Sequence, residues 1–496
     1  MRILYIDIDT LRADHVGCYG YHRDTTPSID RIAAEGVRFD GCYASDTPCL
    51  PSRTALQTGR FGFHTGVVGH GGTSAEMHVE GPKRRFQSSL GVSTFAQRLK
   101  NTGLHTTTIS SFPARHSAFH WMAGFSESHD VGKFGIESAD EVYAIAQDWI
   151  ARRGAEDDWF LHVHFWDPHT PYRAPEGYDP FRAEPLPTWL TEDVRRAHWE
   201  GYGPHSAREC DGFDLTPQMA KLFPRQPQTV DSMDGVRAVF DGYDAGIRYA
   251  DDHVGRILNQ LADQGVLDET AVMISADHGE TLGELNIYCD HMTADQHTAR
   301  LPMIVRWPGG DKQNHGRVDD GLHYQFDVAA SLLELSGGSV PSSWDGRSFA
   351  AAFREGRSAG REALVLSQAA WTCQRSVRFG DHLCIHTYHD GYHDFPDVML
   401  FDVEKDPHEQ HDLAAREPAL VGHAAHLLSD WHTDMLRSAT HDVDPISTVL
   451  REGGPFHTRG RLAAYCERLR KTDRAHHAET LEARHSRDHA WSGSPW

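Results

Sequence analysis

Cys49-Leu50-Pro51-Ser52-Arg53, running on through Thr54-Ala55-Leu56-Gln57-Thr58 to Gly59-Arg60, is the stretch on which this chain turns. It follows the turn-forming Ser45-Asp46-Thr47-Pro48 and opens a helix. The first turn of a helix leaves backbone N–H groups unpaired at the positive end of the dipole, which favours an anion there. Cys49 is thus a thiol at an anion-binding helix start. A lone cysteine is more often a small buried hydrophobe. The choice between the two depends on what the rest of the chain brings to it.

Upstream, Ile3-Leu4-Tyr5-Ile6-Asp7-Ile8-Asp9 reads as a short buried strand ending in acid. A carboxylate at the C-terminal edge of a parallel sheet is where α/β proteins hold ligands. Asp7 precedes Asp9 by two residues, nominally on the same strand face. Residues 10–21 form a Gly- and Tyr-rich loop, Thr26–Gly36 a helix with a glycine stop, and Val37–Ala44 a second strand that delivers Cys49. Downstream, Phe61 to Gly72 is a loop rich in Gly and His, with His64 and His70 near the site. A helix at 93–100 and a strand at 106–110 lead into Ser111-Phe112-Pro113-Ala114-Arg115-His116-Ser117.

Further on, Val142, Ile145, Ala146, Trp149 and Ile150 recur at helical spacing over 139–152 and belong to the core. The strand Trp159–Phe165 ends in Trp166-Asp167-Pro168-His169-Thr170-Pro171-Tyr172. Residues 173–231, irregular and rich in Pro, Gly and Trp, form an insertion at the substrate rim. The clearest helix spans 234–264. Thr270–Ala276 is a near-continuous apolar strand, the pattern of a strand covered on both faces. It ends in Asp277-His278-Gly279-Glu280, a metal-binding signal alongside Asp9. Asp290-His291 then precedes Arg300-Leu301-Pro302 and Trp307-Pro308-Gly309. From about residue 361 the pattern changes to short strands, and beyond 470 the chain is rich in His, Arg and Glu, a tail expected to fray.

The 496 residues carry a formal charge of −23, without long acidic blocks. That argues against nucleic-acid or anionic-membrane binding, and an anionic substrate would need a locally basic pocket. Eight cysteines without a CxxC pair indicate neither a disulfide framework nor a zinc ribbon. No apolar run approaches the roughly 18 residues of a membrane span. A strand begins at once, with no signal-peptide pattern, so a cytoplasmic protein is expected. Homo-oligomerisation is left open.

Cys-X-Pro-Ser-Arg with Thr-Gly-Arg downstream resembles the signature of type I sulfatases, in the alkaline phosphatase superfamily. The resemblance extends over residues 2–415, tightly at 2–66 and 270–310. It implies an α/β fold with a mixed, mostly parallel sheet flanked by helices and a smaller C-terminal α+β subdomain. The expected division is a catalytic domain at 1–360, a subdomain with a small antiparallel sheet at 361–470 and a polar tail at 471–496. In that family a maturation enzyme oxidises the cysteine, here Cys49, to formylglycine, whose hydrated aldehyde is the nucleophile.

The same resemblance implies a divalent metal held by Asp9, Cys49, Asp277 and His278, with Thr10 where a second acid is usual. Asp7 is then either a replacement ligand or a supporting carboxylate. Ca²⁺ is the expected ion, since it prefers oxygens; a His ligand and one fewer carboxylate make Mn²⁺ the alternative. Arg53 favours the alkoxide at position 49. His116 matches a family histidine at the sulfate, and Arg115 is offset by one from a family lysine. His169, in Pro-His-X-Pro, would touch the sulfate and the leaving oxygen. His291 stands where a lysine is common and is a candidate acid for the leaving alcohol. His64 and Arg173 join the expected substrate contacts. The function implied is hydrolysis of a sulfate ester, with a sulfated carbohydrate as partner. The alternatives are a phosphonate or phosphate diester hydrolase with the same nucleophile, and an unconverted pseudoenzyme that binds sulfated glycans.

Overall fold

The computed structural model describes residues 1–78, 93–213, 221–309, 314–441 and 443–486. The last ten residues of the expected tail and 214–220 of the insertion lie outside the described residues.

Strands β1 (Arg2–Ile8), β2 (Val37–Tyr43), β3 (Asp46–Thr47), β4 (His105–Ile109), β5 (Glu127–His129), β6 (Trp159–Phe165) and β7 (Thr270–Ser275) are followed by the short pair β8 (Thr281–Leu282) and β9 (Tyr288–Asp290). Then come β10 (Met303–Arg306), β11 (Arg317–Tyr324), β12 (Ala363–Gln368), β13 (Cys373–Phe379), β14 (His382–His389) and β15 (Val398–Asp402). The main sheet has eight strands in the order β11-β2-β10-β7-β1-β6-β4-β5. Only β10 runs against its neighbours; the remaining pairs are parallel.

β1 lies at the centre and every one of its residues is buried. Its side chains alternate between two cores. Leu4, Ile6 and Ile8 pack with the helices Ala139–Arg153 and Met233–Asp263. Ile3 and Tyr5 pack on the opposite face with Phe95, Leu99, Val328 and Leu332, from the helices Phe95–Asn101 and Gln325–Leu335. This two-sided burial is why β1 and β7 read as continuous apolar runs.

A second sheet, in the order β15-β14-β13-β12-β3, contains the C-terminal strands. Its last strand is β3, paired in parallel with β12 through Ser367↔Asp46 and Gln368↔Thr47, and Cys49 follows at once. The nucleophile's segment is therefore shared with the C-terminal sheet, across the boundary expected near residue 360.

Two expectations need correction. The frayed tail is instead a helical hairpin, Leu462–Lys471 and Ala475–Arg484, as far as it is described. Tyr465, Cys466, Leu469, Ala478 and Leu481 are buried there with Tyr202 and Tyr392, and Arg474 forms a buried ion pair with Glu209. The insertion is more than a rim, because Leu190, Ala207, Cys210 and Val230 join the main core and the helix Glu192–Glu200 forms within it.

Candidate active site

The parallel register of β1 and β7, ending at Asp7↔Ser275, makes Asp9 and Asp277 leave the sheet side by side. Asp9 is fixed by donating its N–H to Phe165 O at 2.9 Å. The next residue, Thr10, is held at φ +58°, a costly conformation for a β-branched residue, while Tyr243 Oη donates to its carbonyl at 2.6 Å. At the Asp277-His278-Gly279 turn a Cβ on Gly279 would lie 1.9 Å from His297 O, so only glycine lets the chain pass. Ser52 Oγ donates to Asp277 O at 2.5 Å, and Gln325 Nε2 donates to Ser52 Oγ at 2.7 Å. These bonds seat the first turn of the helix Cys49–Thr58 on the strand end.

Cys49 Sγ lies 3.0 Å from His278 Nε2. His278 Nδ1 lies 2.8 Å from Gly279 O; a carbonyl only accepts, so Nδ1 carries a hydrogen and Nε2 is the nitrogen turned to the site, 3.3 Å from Asp277 Oδ2. Ligand atoms of Asp9, Cys49, Asp277 and His278 lie within 4.8 Å of one another. Asp9 Oδ1 and Thr10 Oγ1 are buried without a hydrogen-bond partner. This donor set, rich in oxygen with one imidazole, fits a divalent cation.

Arg53 is the counter-charge. It donates to Asp7 Oδ2 from Nη2 at 3.0 Å, lies 3.0 Å from Asp9 Oδ2, and pairs with Asp277. Three carboxylates against one guanidinium leave two negative charges. Burial opposes ionisation of Asp9, but Arg53, His164, His169 and His278 together hold its pKa well below the usual carboxylate range. Asp277 is pushed up, by burial and then by Asp9, despite Arg53. A cation at this point would relieve that competition. Asp7 Oδ2 faces Arg53 and His162 Nε2 (3.2 Å) and is not among the converging ligand atoms, while its Oδ1 is, like Asp9 Oδ1, buried without a hydrogen-bond partner.

Of the predicted histidines, His291 stands beside the nucleophile. Its ring is 4.1 Å from that of His278 and 5.6 Å from that of His169. Its Nδ1 is 3.3 Å from Glu280 Oε2. Burial, then His278 and His169, push His291 well down, while burial, then Asp290 and Asp9, push Glu280 well up. His116 is partly exposed, with Nε2 unpartnered. Arg115 lies over Trp166 at 5.0 Å, and its charge acts on Cys49, so it belongs to the mouth of the site.

Two expected substrate contacts are corrected. His64 is engaged elsewhere, with Nδ1 2.8 Å from Asp345 Oδ2 and Nε2 3.1 Å from Ser438 Oγ. His70 comes to the site instead, its ring 4.9 Å from that of His116. Arg173 uses its guanidinium on the backbone: it donates to His169 O at 2.9 Å, to Pro171 O at 3.2 Å and to Gly135 O, bracing the His169 loop.

Residues without an assigned role also appear. His164, 2.7 Å from Arg53 Nη2, pairs in register with Asp7; its signal was the alternation of His162 and His164 in an otherwise apolar strand. Asp290, beside His291, pairs with His205 from the insertion at 3.1 Å.

A family profile described as Sulfatase matches residues 2–338, and one described as N-sulphoglucosamine sulphohydrolase, C-terminal, matches residues 283–427. The N-acetylglucosamine-6-O-sulfatase of Bacteroides thetaiotaomicron is 25% identical, over 83% of this chain and 82% of its own. A protein solved in complex with its substrate D-glucosamine-2-N,6-O-disulfate shares the fold at TM-score 0.68 and 20% identity, covering 88% of this chain and 98% of that one. A phosphonate monoester hydrolase from Silicibacter pomeroyi does so at TM-score 0.65 and 20% identity, covering 89% and 96%. The first profile spans well over half of the chain and includes Asp9, Cys49, Arg53, Asp277, His278 and His291, which the fold gathers at one point: this chain belongs to the sulfatase family, the enzymes that hydrolyse sulfate esters.

Proposed function

We propose that the substrate is a sulfated carbohydrate, and that hydrolysis uses formylglycine made from Cys49 by a maturation enzyme. Asp9, Asp277 and His278, with position 49, would hold a divalent cation, Ca²⁺ before Mn²⁺. The carrying observation is the convergence of Asp9, Cys49, Asp277 and His278 with Asp9 Oδ1 and Thr10 Oγ1 left unpartnered. The carbohydrate is supported by the N-acetylglucosamine-6-O-sulfatase relative and by the protein of like fold bound to D-glucosamine-2-N,6-O-disulfate.

Cys49 Sγ stands where an oxygen of the hydrated aldehyde would be. As a plain thiol it is a poor nucleophile, because burial, then Asp9 and Asp277, push its pKa well up. The cation supplies charge stabilisation, and the hydrated aldehyde supplies two hydroxyls on one carbon, one to attack and one to release the product.

The chain's own groups do the rest. Arg53, anchored by Asp7, favours an ionised oxygen at position 49 and orients the sulfate. His291, neutral at rest, gives the Nε2 proton to the leaving alcohol, and Glu280 Oε2, 3.3 Å from Nδ1 and biased toward its protonated form by burial and then Asp290 and Asp9, is placed to resupply Nδ1. His116, kept neutral by burial and then Arg115, presents an unpartnered Nε2 that can accept the proton released when the second hydroxyl frees sulfate. Trp166 and Phe112, both buried, keep water from Arg53.

The test is turnover of a panel of defined sulfated mono- and disaccharides beside an aryl phosphodiester. At least one sugar sulfate should exceed the phosphodiester in kcat/KM by about 10². A phosphodiester preference would overturn this reading in favour of a phosphonate or phosphate diester hydrolase, for which the Asp277-His278 pair and the phosphonate monoester hydrolase likeness speak.

A further inference from the structure

Residues 428–486 lie beyond both matched profiles, yet part of this stretch returns to the site. Arg375 donates to both oxygens of Asp444 at 2.6 and 2.8 Å. Ile446 and Val449 pack into one buried cluster with Val68, Ala369 and Cys373. The ring of Phe456 occupies the space that a Cβ on Gly71 would need, 2.3 Å away. His457 then donates its N–H to Ala370 O at 3.1 Å and stacks on Trp371 at 4.5 Å.

This seating brings His457 Nε2 to 3.0 Å from His70 Nδ1. The Nε2 atoms of His70 and of its neighbour His116 are buried and unpartnered within the protein. Burial pushes His457 down to about 3 and, with His116 and His457, pushes His70 well down, so both rings are neutral and each carries one N–H. Between two such rings one nitrogen donates and the other accepts. The partner that His457 presents therefore decides which nitrogen of His70 keeps its hydrogen.

We propose that His457 is a positioning residue: its Nε2–H donates to His70 Nδ1, fixing His70 as the Nε2–H tautomer and aiming a hydrogen-bond donor, beside His116, at an oxygen of the bound sulfate group. An anion is held by donors, and the opposite tautomer would turn a lone pair toward it. The proposal rests on the reading of this site as one that binds a sulfate ester, and it makes the stretch beyond the family profiles part of the catalytic apparatus.

The experiment compares wild type with His70→Ala, His457→Ala, His457→Gln and the double alanine variant, in calcium-containing buffer. The readouts are calorimetric binding of inorganic sulfate, kcat and KM for an aryl sulfate, and thermal unfolding. Each single alanine variant should weaken sulfate binding and lower kcat/KM about tenfold. The double variant should be no worse than His70→Ala, because the two residues act in series. His457→Gln, whose amide N–H replaces the donor, should recover to within about threefold of wild type. Should His457→Ala fail to fold, His457→Phe keeps the ring on Trp371 without the donor and should show the same loss.

Multiplicative effects in the double variant, a glutamine variant as impaired as alanine, or unchanged sulfate binding in both singles would overturn the proposal. Wild type that neither binds sulfate nor turns over the aryl sulfate would overturn the underlying reading as well, and that outcome is recognised without any variant.

Discussion

The floor and the mouth of this site are built in opposite ways. The floor, made of Asp9, Cys49, Arg53, Asp277 and His278, comes from the ends of adjacent central strands and the helix that starts at Cys49, and no member is more than 2% exposed. Charge holds it, with the Arg53 guanidinium among the carboxylates of Asp9, Asp277 and the neighbouring Asp7. The mouth, made of His70, Arg115, His116, Trp371 and His457, is partly exposed and comes from loops, the C-terminal sheet and a segment outside the family profiles. Ring contacts hold it, and two of its imidazole nitrogens are unpartnered. The floor carries chemistry common to sulfate esters. The mouth, built from pieces distant in sequence, holds the proposed sulfate contacts of His70 and His116 and opens the site to the rest of the substrate.

The largest expected effect is on the floor. Arg53→Lys cannot bridge the carboxylates as the planar guanidinium does, and it should lose roughly 10³ in kcat/KM and about 3 kcal/mol of stability in urea unfolding. Losses under tenfold would break the contrast drawn above.

Next comes acid. Burial, outweighing Asp7, lowers the pKa of His162 from 6.5 to about 4. Between those values the unfolded chain binds the extra proton, so stability is fully present above pH 6.5 and falls as pH drops toward 4, by roughly 3 kcal/mol for this residue. Asp7, lowered to about 2 where Arg53, His164 and His162 outweigh burial, contributes stability that is lost only at lower pH, as the medium falls below its ordinary 3.8. Because Asp46, Asp167 and Asp251, raised to about 6, 7 and 7 by burial, shift stability the other way over this range, the measurement is the difference between wild type and His162→Gln, and a difference that does not change between pH 6.5 and 4 would contradict this.

Cation binding follows. Ca²⁺ at a hundredfold excess over its dissociation constant should stabilise the protein by about 2.7 kcal/mol, reversibly with a chelator, and by less in Thr10→Val. The smallest effect belongs to the mouth: Trp371→Ala should raise KM for sugar sulfates about fivefold and change kcat less. A larger loss in kcat than in KM would move Trp371 from mouth to floor.

How much of this was legible follows the same division. Asp9, Asp277-His278 and the Cys49 helix start are local patterns, an apolar run that stops at a polar residue or a turn followed by a helix, and the fold keeps them together. The role of Asp7 needed the reach of Arg53, which is 46 residues away in sequence. His64 and His70 fall in one Gly- and His-rich stretch, His64 on the short helix Gly62–Thr65 and His70 after it, and Asp345 and Ser438, far along the chain, decide that His64 turns away. Arg173 looked like a substrate contact because its charge is obvious and its carbonyl partners are not. The C-terminal hairpin did carry a signal: Leu462, Tyr465, Cys466 and Leu469 recur at helical spacing. The surrounding charge obscured it, and its burial depends on Tyr202 and Glu209 of the insertion.

The most direct test is release of inorganic sulfate from a sulfated sugar by the chain matured with a formylglycine-generating enzyme, measured beside Cys49→Ala prepared in the same way. The account predicts steady release by the former, with the peptide carrying position 49 lighter by the difference between SH₂ and O, and no release above background by the latter, which folds normally. Undiminished release by Cys49→Ala would contradict it.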